Sequence, residues 1–212
     1  GMACHPLRAG EPGTAASAVV ARYPECAKAA EPVREGGVCH RLDTDTSGAL
    51  LFAKTPSAWQ KLRSDFAEGL VEKEYLALVV GSPSDDEFDV TLPLLAGRGG
   101  SPKMTVATTP EEIYHPAALD AHTCFVVERR GPEHTLLRVS AKTGRRHQIR
   151  VHLAHLGLQI VGDPLYGRGE PGGQFLHASR LTFSSPSQPS KRITVEAPLL
   201  QDRAELLAKL VP

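Results

Sequence analysis

The sequence predicts an α+β fold, a mixed and largely antiparallel central sheet flanked by helices and loops. Two observations carry that expectation. Extended stretches outnumber helical ones, and several of them are joined by short turns of the kind that connect antiparallel neighbours.

The elements follow in order. Residues 1–38 are rich in Ala, Gly and Pro, with a short helix predicted over Ala15–Ala21 that ends near Tyr23-Pro24. Gly36-Gly37 breaks the chain before a short run, Val38–Leu42, and Ala49–Ala53 is apolar and short enough for a strand. Thr55-Pro56 supplies an N-cap and a first-turn proline. Trp59, Leu62 and Phe66 then recur at helical spacing, and Gly69 stands at the stop. Val71–Val80 is extended, with Val71, Lys73, Tyr75, Ala77 and Val79 on one face. Ser82–Val90 carries four acids and no base and is expected as a solvated loop. Residues 97–103 read as a flexible excursion. Thr123–Glu128 and Thr135–Lys142 flank Gly131-Pro132 as a hairpin. A helix is expected over His147–Leu156, stopped by Gly157. Two extended pieces, Phe175–Phe183 and Lys191–Glu196, precede a terminal helix around Asp202–Leu210.

With no internal repeat and no long linker, residues 1–212 are expected to form one domain. Lys and Arg total 24 against 24 Asp and Glu, so no global basic field exists, and nucleic acid binding requires a local patch. Hydrophobic residues at 41% and charged residues at 23% are those of a globular protein, and no stretch approaches a membrane span. Neither a signal peptide nor a lipidation motif is read at the ends. Cys4, Cys26, Cys39 and Cys124 are widely spaced, which suits a reducing cytoplasm better than a disulfide scaffold or a zinc module.

Two stretches carry the chemistry. In residues 39–54, Asp43, Asp45, Ser47 and Gly48 fall at the first, third, fifth and sixth positions of an EF-hand loop. The twelfth position, where calcium needs a carboxylate, is Lys54, so calcium is set aside. The plainer reading is a turn built from Asp, Thr, Ser and Gly. In residues 142–167, Lys142, Arg145, Arg146 and Arg150 crowd together with Asp163 as the one acid, forming the local basic patch. His152 and His155 could share a helix face, but His147 lies off it, and the arginines would repel a cation. No metal is expected.

Together these stretches resemble the paired signatures of the RluA-type pseudouridine synthases, which isomerise uridine to pseudouridine in RNA. His40–Lys54 is similar to the family's H-R-L-D-x-x-T-S-G-L-L-x-x-A-K, departing mainly at Ala49. Thr143–Gly167 is similar to T-G-R-x-H-Q-I-R-x-H-L-A-x-x-G-x-x-I-x-G-D-x-x-Y-G. Lys73–Ala77 resembles the K-x-Y-x-A element and Phe175–Ala178 the L-H-A segment. The family often has a strand ending in Lys-Pro-x-Gly before the His-Pro seen here as His5-Pro6, which leaves open whether Gly1 closes that element. Many members also carry an S4 RNA-binding domain, and none is read here.

The resemblance implies the pseudouridine synthase catalytic fold and a redox-neutral reaction that needs no cofactor. It assigns Asp43 as the carboxylate that meets the sugar, as nucleophile or as base at the C1′/C2′ region. It assigns Arg150 as the cation that favours the ionised form of Asp43, and Tyr75 as a ring to stack on uracil with its hydroxyl near C5. Ile149 would pack on the other side of the base. Arg41, with His40 beside it, would contact RNA near the vacated position. Arg145 and His147 are expected to meet phosphates, which position RNA without reading sequence. The substrate is expected to be ribosomal or transfer RNA, with the target uridine flipped out of the stack. The other readings are an RNA-binding protein of the same fold without catalysis, and a metal-dependent hydrolase built on the histidines.

Overall fold

A computed structural model of the protein describes residues 1–8, 11–169 and 172–212. In chain order the elements are α1 (Ala15–Arg22), β1 (Ser47–Gly48), α2 (Pro56–Ala67), β2 (Glu72–Val80), β3 (Glu87–Val90), β4 (Leu94–Ala96), β5 (Met104–Val106), α3 (Pro110–Ile113), β6 (Thr123–Arg130), β7 (His134–Ala141), α4 (Gln148–His155), β8 (Leu176–Ser184), β9 (Arg192–Glu196) and α5 (Gln201–Leu210). The α+β expectation holds. The β2–β7, β6–β7, β3–β6, β4–β5 and β8–β9 ladders all run antiparallel. Two compact units are present, Gly1–Glu72 with Arg180–Glu196, and Lys73–Ser179 with Ala197–Pro212.

In the first unit α2 starts as its sequence requires. Thr55 Oγ1 accepts the Ala58 N–H at 3.3 Å, Pro56 opens the first turn, and Gly69 (φ 73°) takes the left-handed position beyond the end. The helix turns Trp59, Leu62 and Phe66 toward Cys39, Ala53, Val71, Leu181 and Phe183, a small core. The last two come from β8, which pairs with β9 through Leu181↔Val195 and Phe183↔Ile193. The expected strand at Ala49–Ala53 does not form. Only Ser47–Gly48 is strand, and Val38 meets Phe52 in an isolated bridge. The two backbones are drawn too close for side chains on both: a Cβ on Gly37 would stand 2.3 Å from the Ala53 carbonyl oxygen.

In the second unit the strands lie in the order β8-β2-β7-β6-β3. Ala77, Leu78 and Val79 of β2 pack with Leu137 and Val139 of β7, Phe125 of β6 and Leu153 of α4, all almost inaccessible to solvent. The expected hairpin is β6–β7, closed by the Gly131 N–H on the His134 carbonyl at 2.7 Å. The acidic stretch Ser82–Val90 is not all loop, because it ends in β3. Phe88 lies opposite Phe125 with ring centroids 4.9 Å apart, and Val90 is buried. Phe88 and Val90 alternate with Glu87 and Asp89 at period two, a strand pattern that the charge count conceals. Residues 97–103 are the tip of the β4–β5 hairpin, which was not expected. Nor was α3, although Thr109 and Glu112 form a full capping box at its start.

No helix among the described residues is long and apolar enough to cross a membrane. All four cysteines are free thiols.

Candidate active site

Asp43 stands half-buried in a turn of the first unit, whose closure is the Thr46 N–H on the Asp43 carbonyl at 2.9 Å. The residue before it is clasped from both sides by one thiol: Cys4 Sγ donates to the Leu42 carbonyl and accepts the Leu42 N–H, each at 3.2 Å. Burial raises the Cys4 pKa, so the thiol stays protonated and able to donate. Arg41 is exposed. His40 is buried; its Nε2 accepts the Leu51 N–H at 3.1 Å and its ring stacks on Phe66 at 4.4 Å. With Nε2 accepting, the ring proton sits on Nδ1 and the imidazole is neutral. Lys54, at the end of the same motif, is placed 3.1 Å from Glu25 and 3.9 Å from the Tyr23 ring centroid.

Tyr75 belongs to the second unit, on β2 opposite Val139. It is half-buried and packs against the core cluster that contains Ile149.

Helix α4 presents the remaining residues, and a directed chain of hydrogen bonds fixes it to β6. The Thr143 hydroxyl donates to Gln148 Oε1 at 2.7 Å, and Gln148 Nε2 donates to the His122 carbonyl at 3.0 Å and to Thr123 Oγ1 at 2.9 Å. The Thr123 hydroxyl lies 2.9 Å from His152 Nδ1, and His152 Nε2–H donates to the Leu92 carbonyl at 3.1 Å. The His122 and Leu92 carbonyls fix Gln148 Nε2 and His152 Nε2 as donors, because carbonyl oxygens only accept. Burial holds the His152 pKa below the ordinary value, which favours the neutral ring with Nδ1 accepting from Thr123.

From this anchored helix Arg150 extends into a buried, two-pronged ion pair with Asp163. Nε reaches Oδ2 at 2.7 Å and Nη2 reaches Oδ1 at 2.8 Å. Asp163 Oδ1 also accepts the N–H groups of Leu165 at 2.8 Å and Tyr166 at 3.0 Å. Burial alone would raise the Asp163 pKa, but the guanidinium and the two amides outweigh it, and the pKa lies below the ordinary value. The Arg150 guanidinium lies 5.2 Å from the Tyr166 ring centroid. The preceding Gly162 is required, since a Cβ there would come within 2.1 Å of the Gly173 carbonyl oxygen.

His147 is not in the helix as expected. It precedes α4 with φ 56°, the single non-glycine residue at positive φ among those described, and its Nδ1 is 3.0 Å from the Tyr166 hydroxyl. Arg145 is exposed with Nε on the Asp120 carbonyl at 2.9 Å, and Arg146 reaches Met104 Sδ at 3.5 Å. Among the described residues no three His, Cys, Asp or Glu side chains come together as metal ligands.

Of the expected site residues, His40, Arg41 and Asp43 lie in the first unit, and Tyr75, Arg145, His147, Ile149 and Arg150 in the second. Sequence reasoning did not assign a role to Asp163 or Tyr166. The available signal for Asp163 was its position as the one acid in a basic run.

Residues 1–155 match the RNA pseudouridylate synthase family. The chain belongs to that family. It is 33% identical over 213 residues to an uncharacterized RNA pseudouridine synthase of Bacillus subtilis (strain 168), covering 99% of this chain and 67% of the relative. It is 34% identical over 230 residues to the ribosomal large subunit pseudouridine synthase D of Xanthomonas campestris pv. campestris, covering 99% of this chain and 64% of that protein. The structure is similar to human RNA pseudouridylate synthase domain containing 1, with a TM-score of 0.69 and 25% identity, over 94% of this chain and 87% of that one. The chain thus spans about two thirds of the length of these curated bacterial relatives.

Within this member of the family, residues of the Thr143–Gly167 motif do different work. Thr143, Gln148 and His152 hold α4 in place. Asp163 sets the Arg150 guanidinium, and Arg145 and Arg146 face solvent. Buried polar groups that are all satisfied give a rigid support, which is what positioning a reactive side chain requires.

Proposed function

We propose that this chain isomerises specific uridines in structured RNA to pseudouridine, with Asp43 as the catalytic aspartate. The match of residues 1–155 to the family, with Asp43 inside the His40–Lys54 stretch, carries the reading. In the reaction the C1′–N1 bond breaks, the uracil turns while bound, and a C5–C1′ bond forms as the C5 proton is lost. Asp43 meets the sugar as nucleophile at C1′ or as the base that starts elimination at C2′. Tyr75 stacks on the uracil with its hydroxyl toward C5, Ile149 packs on the base, and Arg150 favours the ionised carboxylate. His40 holds the Asp43 turn and Arg41 contacts RNA beside it. Arg145 and His147 meet phosphates. Both units serve one catalytic domain over residues 1–212.

The target base has to leave its stack to be reached, so the substrate is a flipped or unpaired uridine. Ribosomal RNA is the first candidate, because curated relatives carry the name ribosomal large subunit pseudouridine synthase; transfer RNA is the second. The reaction is redox-neutral and calls for no cofactor or metal, and free thiols fit the cytoplasm.

The test uses unmodified ribosomal and transfer RNA transcripts carrying tritium at C5 of uridine. Tritium is expected in water with the wild type and not with Asp43→Asn, which should still bind RNA. Release by both proteins would remove Asp43 from the mechanism; release by neither, from any RNA, would favour a binding protein without catalysis.

A further inference from the structure

Lys73 is 7% exposed, yet among the described residues it makes no hydrogen bond or ion pair. The acids on either side in sequence are engaged elsewhere. Glu72 holds Arg192 at 2.6 Å, and Glu74, on the opposite face of β2, lies 3.8 Å from Arg138. The stem of the side chain is buried while its ammonium keeps contact with solvent, so the charge is available to a ligand that arrives there. Burial lowers the Lys73 pKa, with no charged neighbour contributing. Lys73 is followed on the same face of β2 by Tyr75, Ala77 and Val79, the last two fully buried. One pleat repeat, about 7 Å along the strand, separates Lys73 from Tyr75.

We infer that Lys73 is a catalytic residue whose ammonium donates a hydrogen bond to a uracil carbonyl oxygen and receives the negative charge that develops there during isomerisation. This inference rests on the proposed function. As C1′–N1 breaks, the bonding pair passes to N1 and spreads over the conjugated carbonyls, so the detached base is an anion. When C5 attacks C1′ that pair re-forms a carbon–carbon bond, the C5 proton departs and N1 takes one up. Lys73 is unchanged at the end. A fixed cation gains more from the anionic base than from neutral uridine, so its effect falls on the transition state. The substrate base replaces water at the Lys73 ammonium.

Lys73→Met keeps the side-chain length and the packing of the buried stem and removes a charge that has no counter-ion among the described residues. Tritium release should slow about 100- to 1,000-fold in kcat, with RNA affinity within a few-fold of wild type and a thermal midpoint equal to or above it. A purely structural lysine would instead lower the midpoint. An active wild type with an equally active Lys73→Met, or a variant whose loss follows unfolding, overturns this inference alone. Wild type silent on every RNA overturns it together with the proposed function. RNA carrying 2-thiouridine or 4-thiouridine at the target places a weak acceptor, sulfur, at one carbonyl. The wild type should be slowed by one of the two substitutions and Lys73→Met should not; equal effects on both proteins at both positions overturn the inference.

Discussion

Arg150 and Asp163, thirteen residues apart, form a two-pronged ion pair at 2.7 and 2.8 Å with neither side chain more than 5% exposed. The pair lies between α4 and the turn that follows Gly162, so it ties the helix carrying the basic motif to the loop before β8. Because both prongs are used, the plane of the guanidinium is fixed as well as its position.

Removing one side of that pair is expected to be costly. Asp163→Asn keeps an oxygen for the Leu165 and Tyr166 amides but removes the buried negative charge of this pair, a loss of about 3–5 kcal/mol. Urea unfolding measures it, and an unchanged midpoint would show that the pair adds nothing. Folding lowers the Asp163 pKa, so its contribution is fully present above the ordinary value of 3.8 and drains as pH falls through the folded value.

His152 predicts a second acid-sensitive contribution in a higher range. Its pKa is also lowered by folding, from an ordinary 6.5, so the unfolded chain takes the proton more readily. Stability is complete above that ordinary value and falls as pH drops below it, because protonated Nδ1 cannot accept from Thr123. Thermal midpoints between pH 7.5 and about 5 should decline in the wild type. In His152→Gln this part of the decline should disappear. Parallel curves would assign the decline to other groups.

Tyr75→Phe is expected to keep the ring and the packing against the core cluster, with binding of RNA preserved. Turnover measured by tritium release should fall by roughly 100-fold if the hydroxyl takes part in proton transfer at C5. Rates equal to wild type would leave the tyrosine with stacking alone.

Arg145→Ala tests the phosphate contact. The side chain is exposed and pinned to the Asp120 carbonyl, so its loss should not disturb the core. RNA affinity should weaken, and the slope of log K against log salt should shrink by about one phosphate contact. A slope identical to wild type would move Arg145 off the RNA.

Local patterns made much of the fold legible. The cap at Thr55-Pro56, the turn at Gly131-Pro132 and the period-two face of β2 each depend on residues close in sequence, and each forms where expected. The failures have a common cause. Glu87–Val90 becomes a strand because Phe125 is there to pair with Phe88, and Ala49–Ala53 does not because its pairing with Gly37–Cys39 stops at a single bridge with two backbone hydrogen bonds. In both, a distant segment decides between strand and loop. His147 is a local miss of another kind: it reads as the first residue of a helix, but its backbone enters the left-handed region before α4 begins.

The sequence by itself pointed to the family through its motifs and to the α+β class through the balance of extended and helical stretches, since both follow from residue types at short spacings. Tertiary structure decided which charges are partnered. Asp163 takes the two-pronged contact with Arg150, burial favours the neutral form of His152, and Lys73 buries its stem with no counter-ion among the described residues. Spacing along a chain does not encode these outcomes. They depend on which groups lose water together and on what lies within about 3 Å of each when they do.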